Sequence, residues 1–235
     1  MEKRNLIYIY LFIAFVLSNI PLLHSIIKGN HQLSRIVHLV GMCFAMVNTM
    51  VHESCHALMA ILTGGKIKGI SLFTNTSGVA ETTSNSRIAM ILVSYAGYTG
   101  SSLASIGLFY LLYIGQYEWI IYFFIVLSAI NLLWIRNIYG VVWLTSFSGI
   151  IIFFLYKNLV VLLIHTSIFL SCMVLVQSIV SAFEIMKLSV SSRKDAGDAT
   201  NLAKFTFIPA VFWGILFLVQ SIMATYFIIS KYLLV

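Results

Sequence analysis

The sequence predicts an all-α polytopic membrane protein, with about seven transmembrane helices and a β-hairpin after the second. Three observations carry this prediction. Hydrophobic residues make up 60% of the 235 residues and charged residues only 9%, against roughly 25% charged in a soluble domain. Mean hydropathy is +1.00. The apolar residues fall in runs close to the ~20 that cross a bilayer as a helix, without the period-two alternation of a transmembrane barrel. Lipid offers no hydrogen-bond partners, so a spanning run must pair its own backbone and is helical.

The N-terminal run, "MEKRNLIYIYLFIAFVLSNIPLL", starts as a signal peptide does. No small-residue cleavage site follows, and it reads as a retained first span, 6–23. The second span, 37–62, carries a polar cluster treated below. "GGKIKGISLFTNTSGVAETT" is too polar to span. Its stretches 67–73 and 78–83 are rich in β-branched residues, and "TNTSG" reads as the turn of a hairpin between them. The third span, 88–114, contains "YAGYTGSSLAS", whose small residues let helix backbones approach closely in lipid. Spans four (119–135) and five (139–156) are short and joined by "RNIYG", read as a cap for two helices on the inner side, with substrate contact by Asn137 as the alternative. Span six, 159–185, holds His165, expected to be a hydrogen-bonded intramembrane group. Span seven is 207–229.

The net charge of +7 falls between the apolar runs, where it orients the spans. It calls for no nucleic-acid partner; the partner is the bilayer. With a cytoplasmic N-terminus, Lys3, Arg4, Lys66, Lys68, Arg87, Arg136, Lys187, Arg193, Lys194 and Lys204 fall inside. Only Lys28, Arg35, Lys157 and Lys231 fall outside, as the positive-inside rule favours. Cys43, Cys55 and Cys172 lie within apolar segments, which argues against a disulfide framework. No soluble domain or solenoid-type repeat is evident, so residues 1–235 read as one integral membrane domain.

The second span contains "HESCH". Ionisable groups at that depth are costly and ordinarily face a partner or cavity. His52 and His56 are four apart, on one helical face, a spacing that lets two imidazoles grip one Zn²⁺ at ~2.0–2.1 Å. Glu53 completes His-Glu-x-x-His. A carboxylate there can take a proton from an attacking water, whose pKa zinc lowers toward ~7, and pass it to the leaving amine. The competing reading is a structural polar cluster, disfavoured in a chain with seven acidic residues. Cys55 reads as a small core residue.

From these residues the chain resembles the site-2-protease class of intramembrane zinc metallopeptidases, in particular its compact bacterial branch without a PDZ domain. The likeness runs through "HESCHALMAILTGGKIKGISLFTNTSGVAETT", "AGYTG", "IRNIYGV" and "GDATNLAKFTFIPAVFW". The last resembles a Ser-Asp-Ala-type segment of that branch, with Gly197 in the serine's place. The resemblance implies a multi-pass bacterial cell-membrane protein that hydrolyses peptide bonds of membrane-embedded or membrane-adjacent substrates. It implies zinc held by His52, His56 and Asp198, with Glu53 as catalytic base. It organises the chain into a zinc-motif helix at 37–63, a hairpin at 64–86 and a third-ligand segment at 184–213. One departure stands out. Better-known members carry the third ligand in Leu-Asp-Gly, after an Asn and a Pro; this chain has no Leu-Asp-Gly, and Asn201 and Pro209 both follow Asp198.

Depth along straight helices argues differently from resemblance. His56 would lie ~9 Å inside the boundary at Leu62, and Asp198 ~14 Å outside the run that begins at Phe207. Asp198 reaches the histidines only if 195–208 folds back toward the membrane domain, bending near Pro209. Glu184 matches the depth of His56 better, and Asp195 is a further candidate. Asp198 also reads as a helix N-cap. The hairpin could offer a strand edge to an unwound substrate, or merely connect two spans. Two other functions remain open at this level: a non-catalytic protease-like protein that binds or chaperones membrane partners, and a zinc hydrolase acting on a lipid or small amide.

Overall fold

The computed structural model describes residues 3–19, 31–73, 77–84 and 86–234. Eight α-helices and one two-stranded sheet occur among them. In order they are α1 (Lys3–Ser18), α2 (His31–Leu62), β1 (Lys66–Leu72), β2 (Gly78–Thr83), α3 (Arg87–Tyr113), α4 (Tyr117–Trp134), α5 (Ile138–Tyr156), α6 (Val160–Ser191), α7 (Gly197–Thr206) and α8 (Ala210–Ile228). A single π-turn, Ile229–Leu233, continues α8.

Each of the seven expected spans contains one helix, but not every helix has the length and apolarity of a span. Four among the described residues do: α4, α5, α6 and α8 with its π-turn. α1 is shorter, at 16 residues. The expected count of about seven is therefore not reached on length and apolarity. α2 and α3 are long, at 32 and 27 residues, but the polar cluster dilutes the first and the small and hydroxylated residues of "YAGYTGSSLAS" the second. Residues 20–23 of the expected first span, and the turn at 74–76, lie outside the described residues.

The hairpin forms where the β-branched residues lie. β1 and β2 pair antiparallel, from Lys66 opposite Thr83 to Leu72 opposite Gly78, with a bulge between Ile67 and Gly69. Gly64, at φ 75°, ends α2 in a conformation that favours glycine. The far edge of β1 is not left open. Ile135 bridges Ile70 in parallel, and Arg136 N–H donates to the Ile70 carbonyl at 2.9 Å. Leu72 N–H donates to Asn137 Oδ1 at 3.1 Å, while Asn137 Nδ2 donates to the Leu72 carbonyl. "RNIYG" thus pairs with β1. Asn137 stands at the N-cap position of α5 but makes no side-chain cap bond, so the expected capping role is replaced by this pairing.

Two cores hold the helices together. The larger unites α2, α4, α6 and the hairpin around Met46, Met50, Ile70, Leu72 and Phe124. The smaller packs Ala199 and Leu202 of α7 against Ala182 and Ile185 of α6 and Phe217 of α8. His165 hydrogen-bonds Tyr10 of α1, 2.8 Å from Nδ1 to the hydroxyl, the satisfied polar contact expected of it.

Candidate metal centre

One turn of α2 separates His52 from His56, so their rings meet nearly edge to face, centroids 4.6 Å apart and planes at 81°. Their Nε2 atoms are 3.0 Å apart. Asp198 Oδ2 lies 3.2 Å from His52 Nε2 and 3.1 Å from His56 Nε2. Two donors bound at ~2.05 Å to a tetrahedral zinc stand about 3.3 Å apart. The three atoms therefore form a triangle of the size that a zinc ion holds. Among the described residues they form the group able to take a metal.

The protonation pattern fits as well. A carbonyl only accepts, so the 2.6 Å contact between His56 Nδ1 and the Val93 carbonyl places the ring proton on Nδ1. That leaves the Nε2 lone pair for a metal, the usual orienting contact around a ligating imidazole. His52 packs edge-on against Tyr98, centroids 4.6 Å apart, and Tyr98 stacks on Phe217 of α8.

α3 lies close enough to supply these contacts because Gly97 has no side chain. A Cβ there would come within 2.5 Å of both His52 Nε2 and His56 Nε2. At Gly100 it would meet Cys55 Cβ at 2.7 Å. The stripe expected to allow close packing does so against the motif itself, and Cys55 serves as a packing residue outside the metal group.

Asp198 arrives on a helix of its own. Ala196 N–H donates to Thr200 Oγ1 at 3.1 Å, and Thr200 Oγ1 donates to the Arg193 carbonyl at 2.7 Å, fixing the turn that starts α7. The helix stops at Phe207, φ 62°, and Pro209 N-caps α8. Arg87, at the start of α3, donates to the Phe205 carbonyl and lies over the Phe207 ring, 4.5 Å from its centroid. Segment 195–208 thus folds back, the condition that straight helices did not meet. Asp198 is in the first turn of α7 but is not its cap; the N-cap residue is Ala196. Glu184 lines the neighbouring cavity but stands outside the donor triangle, and Asp195 is exposed.

The triangle opens onto a cavity of about 490 Å³. Glu53 lines it and is 4% exposed. The Ala80 backbone N–H hydrogen-bonds its carboxylate. Gly78 lies so close that a Cβ would be 2.6 Å from Glu53 Oε1. β2 forms one wall with Gly78, Val79, Ala80 and Thr82, and its edge away from β1 carries no strand among the described residues.

The Peptidase M50B-like family matches residues 6–228. The chain belongs to this family. It is the site-2-protease family, as the resemblance implied, and the match contains no PDZ domain. No curated protein and no solved structure matches the chain. M50B-like peptidases are membrane-embedded metallopeptidases, and this member's apolar helices and donor triangle accord with both attributes.

Four residues in this M50B-like site escaped the sequence reading. Val93 contributes only its carbonyl, which any residue could, so no signal existed. Asn48 lines the cavity one turn before His52, and the 48/52/56 spacing was there to be read. Gln177 and Ser181 line it too, at helical spacing before Glu184.

Proposed function

We propose that this M50B-like chain is an intramembrane zinc metalloprotease that cuts extended segments of membrane-embedded or membrane-adjacent proteins. The observation that carries the reading is the donor triangle of His52, His56 and Asp198, which shares one cavity with the buried Glu53 carboxylate. Zinc, when bound, supplies Lewis acidity that polarises the scissile carbonyl and acidifies the attacking water. His52 and His56 present Nε2 lone pairs, and Asp198 adds a negative oxygen. Glu53 takes the proton of the water and later delivers it to the leaving amine. The Ala80 N–H holds the Glu53 carboxylate in place. The edge of β2 away from β1 receives the substrate backbone as an added strand, which addresses a central obstacle: a closed helix hides its peptide bonds.

On this reading all seven expected spans cross the bacterial cell membrane, the N-terminus is cytoplasmic and the site lies in the cytoplasmic half. α2 and α3 cross despite their lower apolarity because they bury polar residues against partners rather than lipid, and α1, at 16 residues, reaches ~24 Å as a helix.

The test is zinc content of the purified protein. Wild type and Glu184→Ala are expected to hold about one zinc per chain, and His52→Ala, His56→Ala and Asp198→Ala to lose it. Glu53→Gln is expected to keep zinc and lose cleavage by about 10²–10⁴-fold. No zinc in metal-repleted wild type would sink the proposal.

A further inference from the structure

The cavity wall contains two carboxamides that the reaction above does not use. Asn48 is 4% exposed and Gln177 8%, and both line the cavity. Among the described residues neither side chain has a hydrogen-bond partner, and Asn48 Oδ1 is fully buried without one. Two other amides are tied to neighbours, although Asn131 Oδ1 is, like Asn48 Oδ1, buried without a partner. Asn131 Nδ2 reaches Ser54 Oγ at 2.7 Å and the Leu127 carbonyl at 2.8 Å. Gln220 Oε1 accepts from Thr99 at 3.0 Å, and its Nε2 donates to Tyr95. Buried polar groups without partners are rare and costly, and each calls for an explanation; of those among the described residues, only Asn48 lines the cavity.

The lining states which ligand. No Lys or Arg among the described residues lines the cavity, so away from the metal centre no side-chain cation there would compensate an anionic headgroup. A carboxamide carries a donor and an acceptor in one plane, as a peptide group does. The protein itself shows what that permits: Asn137 takes both the N–H and the carbonyl of Leu72 along the far edge of β1. An extended substrate paired with β2 would expose a second edge of N–H and C=O groups, which a site closed to water must also satisfy.

We propose that Asn48 and Gln177 form a backbone-binding subsite, which hydrogen-bonds the substrate edge turned away from β2 as Asn137 does for β1. The subsite rests on the metalloprotease reading. It flanks the scissile position: Asn48 precedes His52 by one turn of α2, and Gln177 precedes Glu184 by seven residues of α6, ~10 Å. Recognition through the backbone makes binding depend on unwinding more than on side-chain identity.

The test compares two probes on zinc-loaded protein. Acetohydroxamate grips the metal alone; an extended tripeptidyl hydroxamate adds a backbone. Asn48→Leu and Gln177→Met remove the amides at nearly constant volume, and the two alanine variants serve if the larger side chains do not fit. Zinc content and acetohydroxamate affinity are expected to stay at wild-type levels, while the tripeptidyl hydroxamate weakens about fivefold to tenfold per variant. The apo protein should melt no lower, since no hydrogen bond is lost. Unchanged tripeptidyl affinity would overturn the subsite and leave the amides holding water only. Equal loss for both probes, or a lowered melting temperature, would make the residues structural and overturn it too. A wild type that takes neither zinc nor acetohydroxamate would defeat the metalloprotease reading first, and the subsite with it.

Discussion

At the scale of residues, the centre depends on what Gly97 lacks. Its hydrogen faces both metal-directed nitrogens, and any Cβ would overlap them. Gly97→Ala is expected to cost at least tenfold in zinc affinity, measured by chelator competition, as the rings or α3 shift to relieve the overlap. Gly107 lies on the same helix with nothing within 4 Å of its built Cβ; Gly107→Ala should leave zinc affinity unchanged. Equal effects would mean that helix propensity, not contact with the histidines, decides the outcome. The histidine pair was legible in the sequence because a four-residue spacing is local geometry. The role of Gly97 was legible only as close packing, since nothing local says which residue of α2 faces it.

At the scale of elements, α7 and the hairpin are each held at an edge by one polar residue. Arg87 binds the C-terminal end of α7, where the helix dipole favours a cation, and covers Phe207. Arg87→Ala is expected to loosen α7 and weaken zinc binding about threefold to tenfold, with Arg87→Lys intermediate. In an Asp198→Ala background the Arg87 change should add nothing to the zinc defect; an additive loss would show that Arg87 acts by another route. Asn137→Leu leaves the N–H and carbonyl of fully buried Leu72 unpaired. It is expected to destabilise the fold by about 2 kcal/mol or more, read by thermal unfolding in detergent. The two strands were legible from β-branched runs. Their third partner was not, because "RNIYG" follows the hairpin by more than fifty residues and its bond is a tertiary one.

At the scale of the molecule, zinc binding is expected to be coupled to the fold. The triangle joins α2 to α7, and α7 joins the smaller core of α6 and α8. Zinc at 100 times its Kd is therefore expected to raise stability by about 2.7 kcal/mol. The readout is a melting temperature that rises with zinc, falls with chelator and does not respond in Asp198→Ala. Orientation belongs to this scale too: an N-terminal tag should be inaccessible to external protease, and an accessible one would reverse the topology.

The sequence by itself determined a helical membrane protein, the hairpin, the histidine pair with its glutamate, and the family. The first three follow from composition, from apolar runs, from β-branched stretches around a turn and from one five-residue motif; the family came from resemblance over four stretches of the chain. The third donor was named by resemblance against the depth of straight helices. Only the tertiary structure shows that Asp198, not Glu184, lies beside the two imidazoles, because that meeting depends on a reversal at Phe207, on a glycine in another helix and on an arginine at its end. Those contacts join residues from 41 positions apart (His56 and Gly97) to 146 (His52 and Asp198), and no local preference of the chain encodes them singly.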